Sequence, residues 1–306
     1  IVYMDATKGW IPTVAGAVVY SGGNDEGIFG YGHDGSVTAV TNLVSNAGVV
    51  SSDVTGVGTA RYAVAACEYG GNKGIFGFGY TASNVSMTNL VSNAGVVATD
   101  VTGVGTDRRG AAAIEYGGDK GIFGYGKGAA LVSMTNLVSN AGVVASDVAG
   151  VGTDRRYLGA CEYGGDKGIF GYGDDSGYAS MTNLVSNGGV VATDVTGVGT
   201  GRQGIAACGY GGDKGIFGYG DTAPSVVSMT NLVSNGGVVA TDTTGVGTAR
   251  SYPAACEYGD DKGIFGFGST GSAVSMTNLV SNAGVVATDV TGVGTARHSP
   301  GACSFN

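Results

Sequence analysis

Apolar residues run along this chain in short stretches, some alternating with polar positions and some continuous, and glycines punctuate nearly all of them. No window carries the 3.6-residue apolar spacing of an amphipathic helix, so the pattern predicts β-strands throughout. Residues 64–69 read as a strand of small residues, followed by a turn at 70–73 and a second strand at 74–79 that places Phe76 and Phe78 on one face. A polar stretch at 80–86 leads to a third strand at 87–91, a Ser-Asn-Ala-Gly turn at 92–95 and a fourth strand at 96–100.

This unit recurs. Gly-Ile-Phe-Gly begins at Gly27, Gly74, Gly121, Gly168, Gly215 and Gly263, a spacing of 47 residues with one of 48. On the same period, Gly-Val-Gly-Thr-x-Arg ends at Arg61, Arg108, Arg155, Arg202, Arg250 and Arg297. A unit of this length cannot bury its own apolar face, so the copies must stack on one another. Four antiparallel strands repeated six times predict an all-β protein: a six-bladed β-propeller over residues 15–306, with residues 1–14 as a lead-in segment.

Each copy passes from the arginine through three variable residues and a small apolar strand to a Gly-Gly turn and a hydrophobic strand ending in Gly-aromatic-Gly, as in residues 155–173. In that order the chain resembles the kelch-type β-propeller. Val96 and its equivalents stand where that family usually opens its fourth strand with tryptophan, and the third-strand tyrosine is absent, so other propeller lineages stay open. The resemblance implies a ring whose ends must be joined. Residues 301–305 repeat the first strand with no second strand after them, and are expected to complete the first blade; residues 14–20 are the alternative. A second resemblance covers only residues 5–12, which are similar to a segment preceding C-terminal domains in structural proteins of marine bacteriophages. It implies a host-facing virion component such as a tail fibre, at an extracellular or virion surface.

Glycine makes up 61 of the 306 residues, but 43% are hydrophobic and recur in register, which separates the chain from disordered low-complexity sequence. With 24 acidic against 15 basic side chains the net charge is −9, so contact with nucleic acid or anionic membrane is not expected. No apolar run reaches the roughly 18 residues of a membrane span. No leader of charged then apolar residues opens the chain, and Ile1 reads as the start of a trimmed fragment. Cys67, Cys161, Cys208, Cys256 and Cys303 occupy one slot of successive copies, filled by Ile114 in the third. Equivalent slots lie too far apart for disulfides, so these are expected to be buried free thiols.

Near-identical copies make their differences visible. One cluster of differences is the triplet after each arginine, including Arg109, Arg156, Tyr157, Tyr252 and His298. The other is the link between strands two and three, including His33, Asp34, Asn84, Lys127, Asp174, Asp175, Tyr178 and Asp221. In an up-and-down blade both open on one face, whereas the conserved turns open on the other. Drift would alter both faces alike, so the variable face is the candidate binding surface for a glycan or protein receptor.

The six repeated arginines are candidates to ring the mouth of the central channel and hold an anionic ligand. Every copy has one regardless of its neighbours, however, which favours a structural role between blades, paired with backbone carbonyls or with carboxylates such as Asp107 and Asp154. Tyr31, Phe78, Tyr125, Tyr172, Tyr219 and Phe267 are expected to pack between blades rather than stack on sugars. Glu68, Glu115, Glu162 and Glu257 are expected to be solvated or paired with lysines such as Lys73 and Lys120, with an acidic channel ring or a cation site as the alternatives. The aspartates that close strand four, such as Asp100, read as turn caps. With only two histidines, His33 and His298, and no repeat-breaking cluster of His, Cys or carboxylate, no catalytic residue, metal or cofactor is expected. A binding or adhesion module is the leading expectation, ahead of a structural assembly subunit.

Overall fold

The computed structural model describes residues 25–305, and the backbone of residues 2–5 and 9–11. The chain is all-β in these residues, and no helix among them is long and apolar enough to cross a membrane. Six three-stranded antiparallel sheets, I to VI here, follow one another along the chain. Sheet II contains a first strand, Ala65–Tyr69, a second, Lys73–Tyr80, and a third, Asn84–Val91, and sheets III to VI repeat this order over residues 112–138, 159–185, 206–233 and 254–280. Sheet I takes its second and third strands, Glu26–His33 and Val37–Val44, from the start of the chain and its first, Gly301–Phe305, from the end. That is the pairing expected of residues 301–305. The alternative strand at 14–20 lies outside the described residues. Near the start of the chain, Val2–Asp5 pairs with Gly9–Ile11 in a small hairpin.

The middle strand of each sheet is buried on both faces, which is why it reads as Gly-Ile-Phe-Gly rather than as an alternating strand. Phe76 of sheet II lies against Gly30 of sheet I, where a Cβ would come within 2.8 Å of the ring. The same Gly–Phe contact recurs at each step, ending with Phe29 of sheet I on Gly266 of sheet VI. First strands pack on first strands in the same succession: Ala254–Tyr258 of sheet VI touches Gly301–Phe305, which in turn touches Ala65–Tyr69. The five cysteines are buried and free, each facing a glycine that opens the next sheet's Ile-Phe pair.

Where a fourth strand was expected, residues 96–101 follow the third strand through two isolated bridges, Val91–Val97 and Thr88–Val101. A ladder fails to form because the buried Asn89 side chain takes over part of it. Its amide donates to the Ala98 carbonyl at 3.0 Å and to Asp100 Oδ1 at 2.9 Å. Val96 consequently points into solvent, 64% exposed.

Candidate functional site

The repeated arginines are all 0% exposed, so they do not line an open mouth as a ligand-holding ring would require. Arg61 lies over the Tyr31 ring of sheet I, 4.2 Å from its centroid. From there it donates to sheet II: Nε to the Phe78 carbonyl at 2.9 Å and Nη2 to Asn89 Oδ1 at 2.7 Å. A bulge aims the aromatic sideways. Tyr31 has φ of 64°, and the ladder to the third strand skips it. A left-handed non-glycine residue costs roughly 1–2 kcal/mol, which stacking on a desolvated guanidinium offsets. Burial pushes the Tyr31 hydroxyl up to about 12, and that hydroxyl donates to the Val57 carbonyl. Arg108, Arg155, Arg202, Arg250 and Arg297 repeat the stacking, so the arginines take the structural role. The aromatics, as expected, pack between sheets.

Asp100 is an inter-sheet tie rather than a turn cap. Thr59, in the connection leaving sheet I, donates to it from its backbone N–H and hydroxyl, the latter at 2.7 Å. Burial alone would raise its pKa, but the hydrogen bonds from Thr59 and Asn89, together with the Arg61 charge, hold it below the ordinary value. Asp53 accepts in the same way from Thr295, 242 residues away.

The middle residue of each variable triplet builds a second connection. Gly110 donates its N–H to the Ala63 carbonyl, Tyr157 to Gly110, Gly204 to Tyr157, Tyr252 to Gly204, Ser299 to Tyr252, and Ala63 to Ser299, at 2.7 to 3.2 Å. All six residues have left-handed φ between 53° and 63°. The six triplets therefore converge, and the variation among them is partly a packing matter. Tyr157 lies over Gly110 and Tyr252 over Gly204, where a Cβ would come within 2.8 and 2.9 Å of the rings.

The first residue of each triplet bridges to the residue that follows Gly-aromatic-Gly, giving one pair per sheet: His298–His33, Tyr62–Tyr80, Arg109–Lys127, Arg156–Asp174, Gln203–Asp221 and Ser251–Ser269. No two pairs are alike. Tyr157 meets Tyr252 with ring centroids 5.1 Å apart, Tyr252 meets His298 at 6.4 Å, and His298 meets His33 at 5.2 Å. His33 then meets Tyr62 at 5.3 Å and Tyr62 meets Tyr80 at 5.5 Å. These six half-buried rings form one arc, with Arg156 over Tyr157 at one end and Arg109 over Tyr80 at the other. Tyr62 and Tyr80 were not among the candidate site residues. Their signal was the constant offset of 18 residues between the two variable positions, as in 62 and 80 or 109 and 127.

Other candidates serve locally. Asp34 accepts from the Ser36 backbone and hydroxyl in its own turn. Asn84 donates to the Lys127 and Gly128 carbonyls, tying the loops of sheets II and III. Arg156 pairs with Asp174 at 2.8 Å, and Asp221 accepts from the Ala223 N–H. Asp175 and Tyr178 belong to a loop beyond the arc, Tyr178 being exposed.

All six first strands line one cavity of about 60 Å³, and Glu68, Glu115 and Glu162 are among its lining residues. One oxygen from each lies within 4.8 Å of the others, the one such grouping of three or more His, Cys, Asp or Glu residues among those described. The expectation of solvated or lysine-paired glutamates is thus corrected: Lys120, Lys167, Lys214 and Lys262 pair with the aspartate before them. Burial, and then the charges of Glu162 and Glu68, push the Glu115 carboxyl well above its usual range. Burial and the Glu68 charge take Glu162 up to about 8. Gly209 interrupts the series, and the Glu257 carboxylate lies over it where a Cβ would otherwise stand.

No protein-family model matches the chain, and comparison with curated proteins finds no match.

Proposed function

We propose that the chain is a six-bladed β-propeller, closed by its C-terminal strand, that acts without catalysis as a recognition module. The hydrogen bond from Ala63 back to Ser299, and the Thr295–Asp53 and Arg297–Tyr31 bonds that repeat those of the other interfaces, support closure. Residues 96–101 and their equivalents serve as the irregular fourth strand of each blade. The receptor, a glycan or protein on another surface, meets the triplet face; the similarity of residues 5–12 to phage structural proteins suggests display on a virion tail fibre.

One observation carries this reading. Seven His or aromatic side chains depart from the repeat among the residues whose side chains are described: His33, Tyr62, Tyr80, Tyr157, Tyr178, Tyr252 and His298. Six of them form the single arc. Packing alone would scatter them over six equivalent places, whereas half-buried aromatics gathered on one face suit recognition. The test is a glycan and protein-surface array probed with the intact chain and with the Tyr62→Ala/Tyr80→Ala variant. Ligands captured by the first and lost by the second support it; an unchanged pattern removes it.

A second reading, a decoration subunit of a larger particle, rests on the opposite face. Val49, Val96, Val143, Val190, Val238 and Val285 repeat there at 64–69% exposure. Val96→Asp together with Val190→Asp would abolish particle attachment on this reading and leave array binding intact.

A further inference from the structure

We propose that the ligand of the aromatic arc is an anionic saccharide whose acidic group is held by Arg109 and Lys127, an inference that rests on the recognition reading above. Arg109 and Lys127 face each other across a bridge, and like charges so placed oppose pairing. Neither has a carboxylate partner among the described residues, and Arg109 Nε is buried without a hydrogen-bond acceptor there. One sheet further on, the equivalent Arg156 is neutralised by Asp174 at 2.8 Å. Sheets V and VI carry Gln203–Asp221 and Ser251–Ser269, with no cation. A doubly positive spot is thus confined to sheet III of a chain with net charge −9.

The spot is also held in place. Asn84 binds the Lys127 and Gly128 carbonyls, and the Arg109 guanidinium rests 4.5 Å from the Tyr80 ring centre. The Arg109 guanidinium can therefore meet a carboxylate or sulfate with little reordering, with Lys127 directly across the bridge to add its charge. Next to them run Tyr80, Tyr62, His33 and His298, ring surfaces suited to the C–H faces of successive sugar units. A peptide anchors by burying side chains in pockets, and the cavity beneath the triplets, about 80 Å³ and lined by Ala63, Gly110, Tyr157 and their equivalents, offers little such room. The saccharide is favoured for that reason.

The experiment is titration of the intact chain with alginate, sulfated dextran, neutral dextran and polyglutamate at two salt concentrations. Arg109→Gln and Lys127→Gln are run alongside Tyr62→Ala, and melting temperatures confirm folding. Alginate or sulfated dextran should bind more weakly at high salt, and each glutamine variant should weaken that binding about tenfold while melting normally. Anionic saccharide binding unchanged in Arg109→Gln/Lys127→Gln overturns the proposal, as does polyglutamate binding at least as tightly, which would make this an acidic-peptide site. Binding of neutral dextran alone, lost in Tyr62→Ala, overturns the anionic ligand but leaves the recognition face standing. A natively melting chain that binds none of the four probes overturns the saccharide ligand, while the array with Tyr62→Ala/Tyr80→Ala still judges recognition separately.

Discussion

Arg297 donates its Nε hydrogen to the carbonyl oxygen of Tyr31, 2.7 Å away and 266 residues distant in the chain. The bond repeats Arg250 to Phe267, and at both places the arginine Nη2 and the nearby asparagine Oδ1 find no partner among the described residues, so the interface between the last and first sheets is built like the one before it. Removing a buried cation while leaving its acceptors in place costs about 3–5 kcal/mol. Arg297→Leu and Arg250→Leu, which remove matching bonds, should lose stability by similar amounts in urea denaturation. A much smaller loss at Arg297 would mean that sheets VI and I meet only weakly.

The Gly110–Tyr157 contact makes a second prediction. Gly110→Ala must accept φ of 63° and a Cβ within 2.8 Å of the Tyr157 ring. A left-handed alanine costs roughly 1–2 kcal/mol, and the clash adds to it. Tyr157→Ala should recover part of the loss in the double variant. Ala63→Gly, at φ of 54° with no ring above it in that way, should be neutral or stabilising by about 1 kcal/mol. Thermal melts of the four variants decide the matter.

Stability should fall as pH rises from about 5 to 8. The Glu162 carboxyl is pushed up to about 8 and Glu115 well above its usual range, so the folded chain binds more protons than the unfolded one across that window. Unfolding free energy therefore declines with pH there, by an amount on the order of 3 kcal/mol. The interface aspartates, held low, oppose only below the ordinary carboxylate range. His298 is lowered by burial and by His33, so its slope runs the other way. Glu115→Gln, a neutral donor in the same place, should flatten the alkaline decline relative to the parent chain. Equal slopes in both chains would contradict the raised Glu115 and Glu162 carboxyls as the source of the decline.

The cysteines should be silent in the native state. Burial raises the Cys67, Cys161, Cys208, Cys256 and Cys303 thiols, and the thiolate is the reactive form. A thiol-specific chromogenic reagent should modify none of them at neutral pH and all 5 after unfolding. Rapid modification of the folded chain would show that the first strands part readily.

Much of the fold was legible because the repeat prints its own register: Gly-Ile-Phe-Gly marks a strand buried on both sides, and Gly301–Phe305 is recognisable as a first strand without its partner. The fourth strand was not, since the pattern could not show Asn89 turning inward to take the Ala98 carbonyl. The structural role of the arginines was legible, since every copy carries one whatever its neighbours, but the stacking partner was not. Nothing local to an arginine in a glycine-rich loop points to the tyrosine that the preceding sheet lays beneath it.

The order of residues alone determined that this chain is β-structured, repetitive and varied in two short stretches per copy, because strand pairing and glycine turns depend on neighbours a few residues away. Only the tertiary structure decided which varied residues touch. Contacts such as His33 with His298, or Glu68 with Glu162, join residues separated by several copies, and nothing local in the chain encodes that distance.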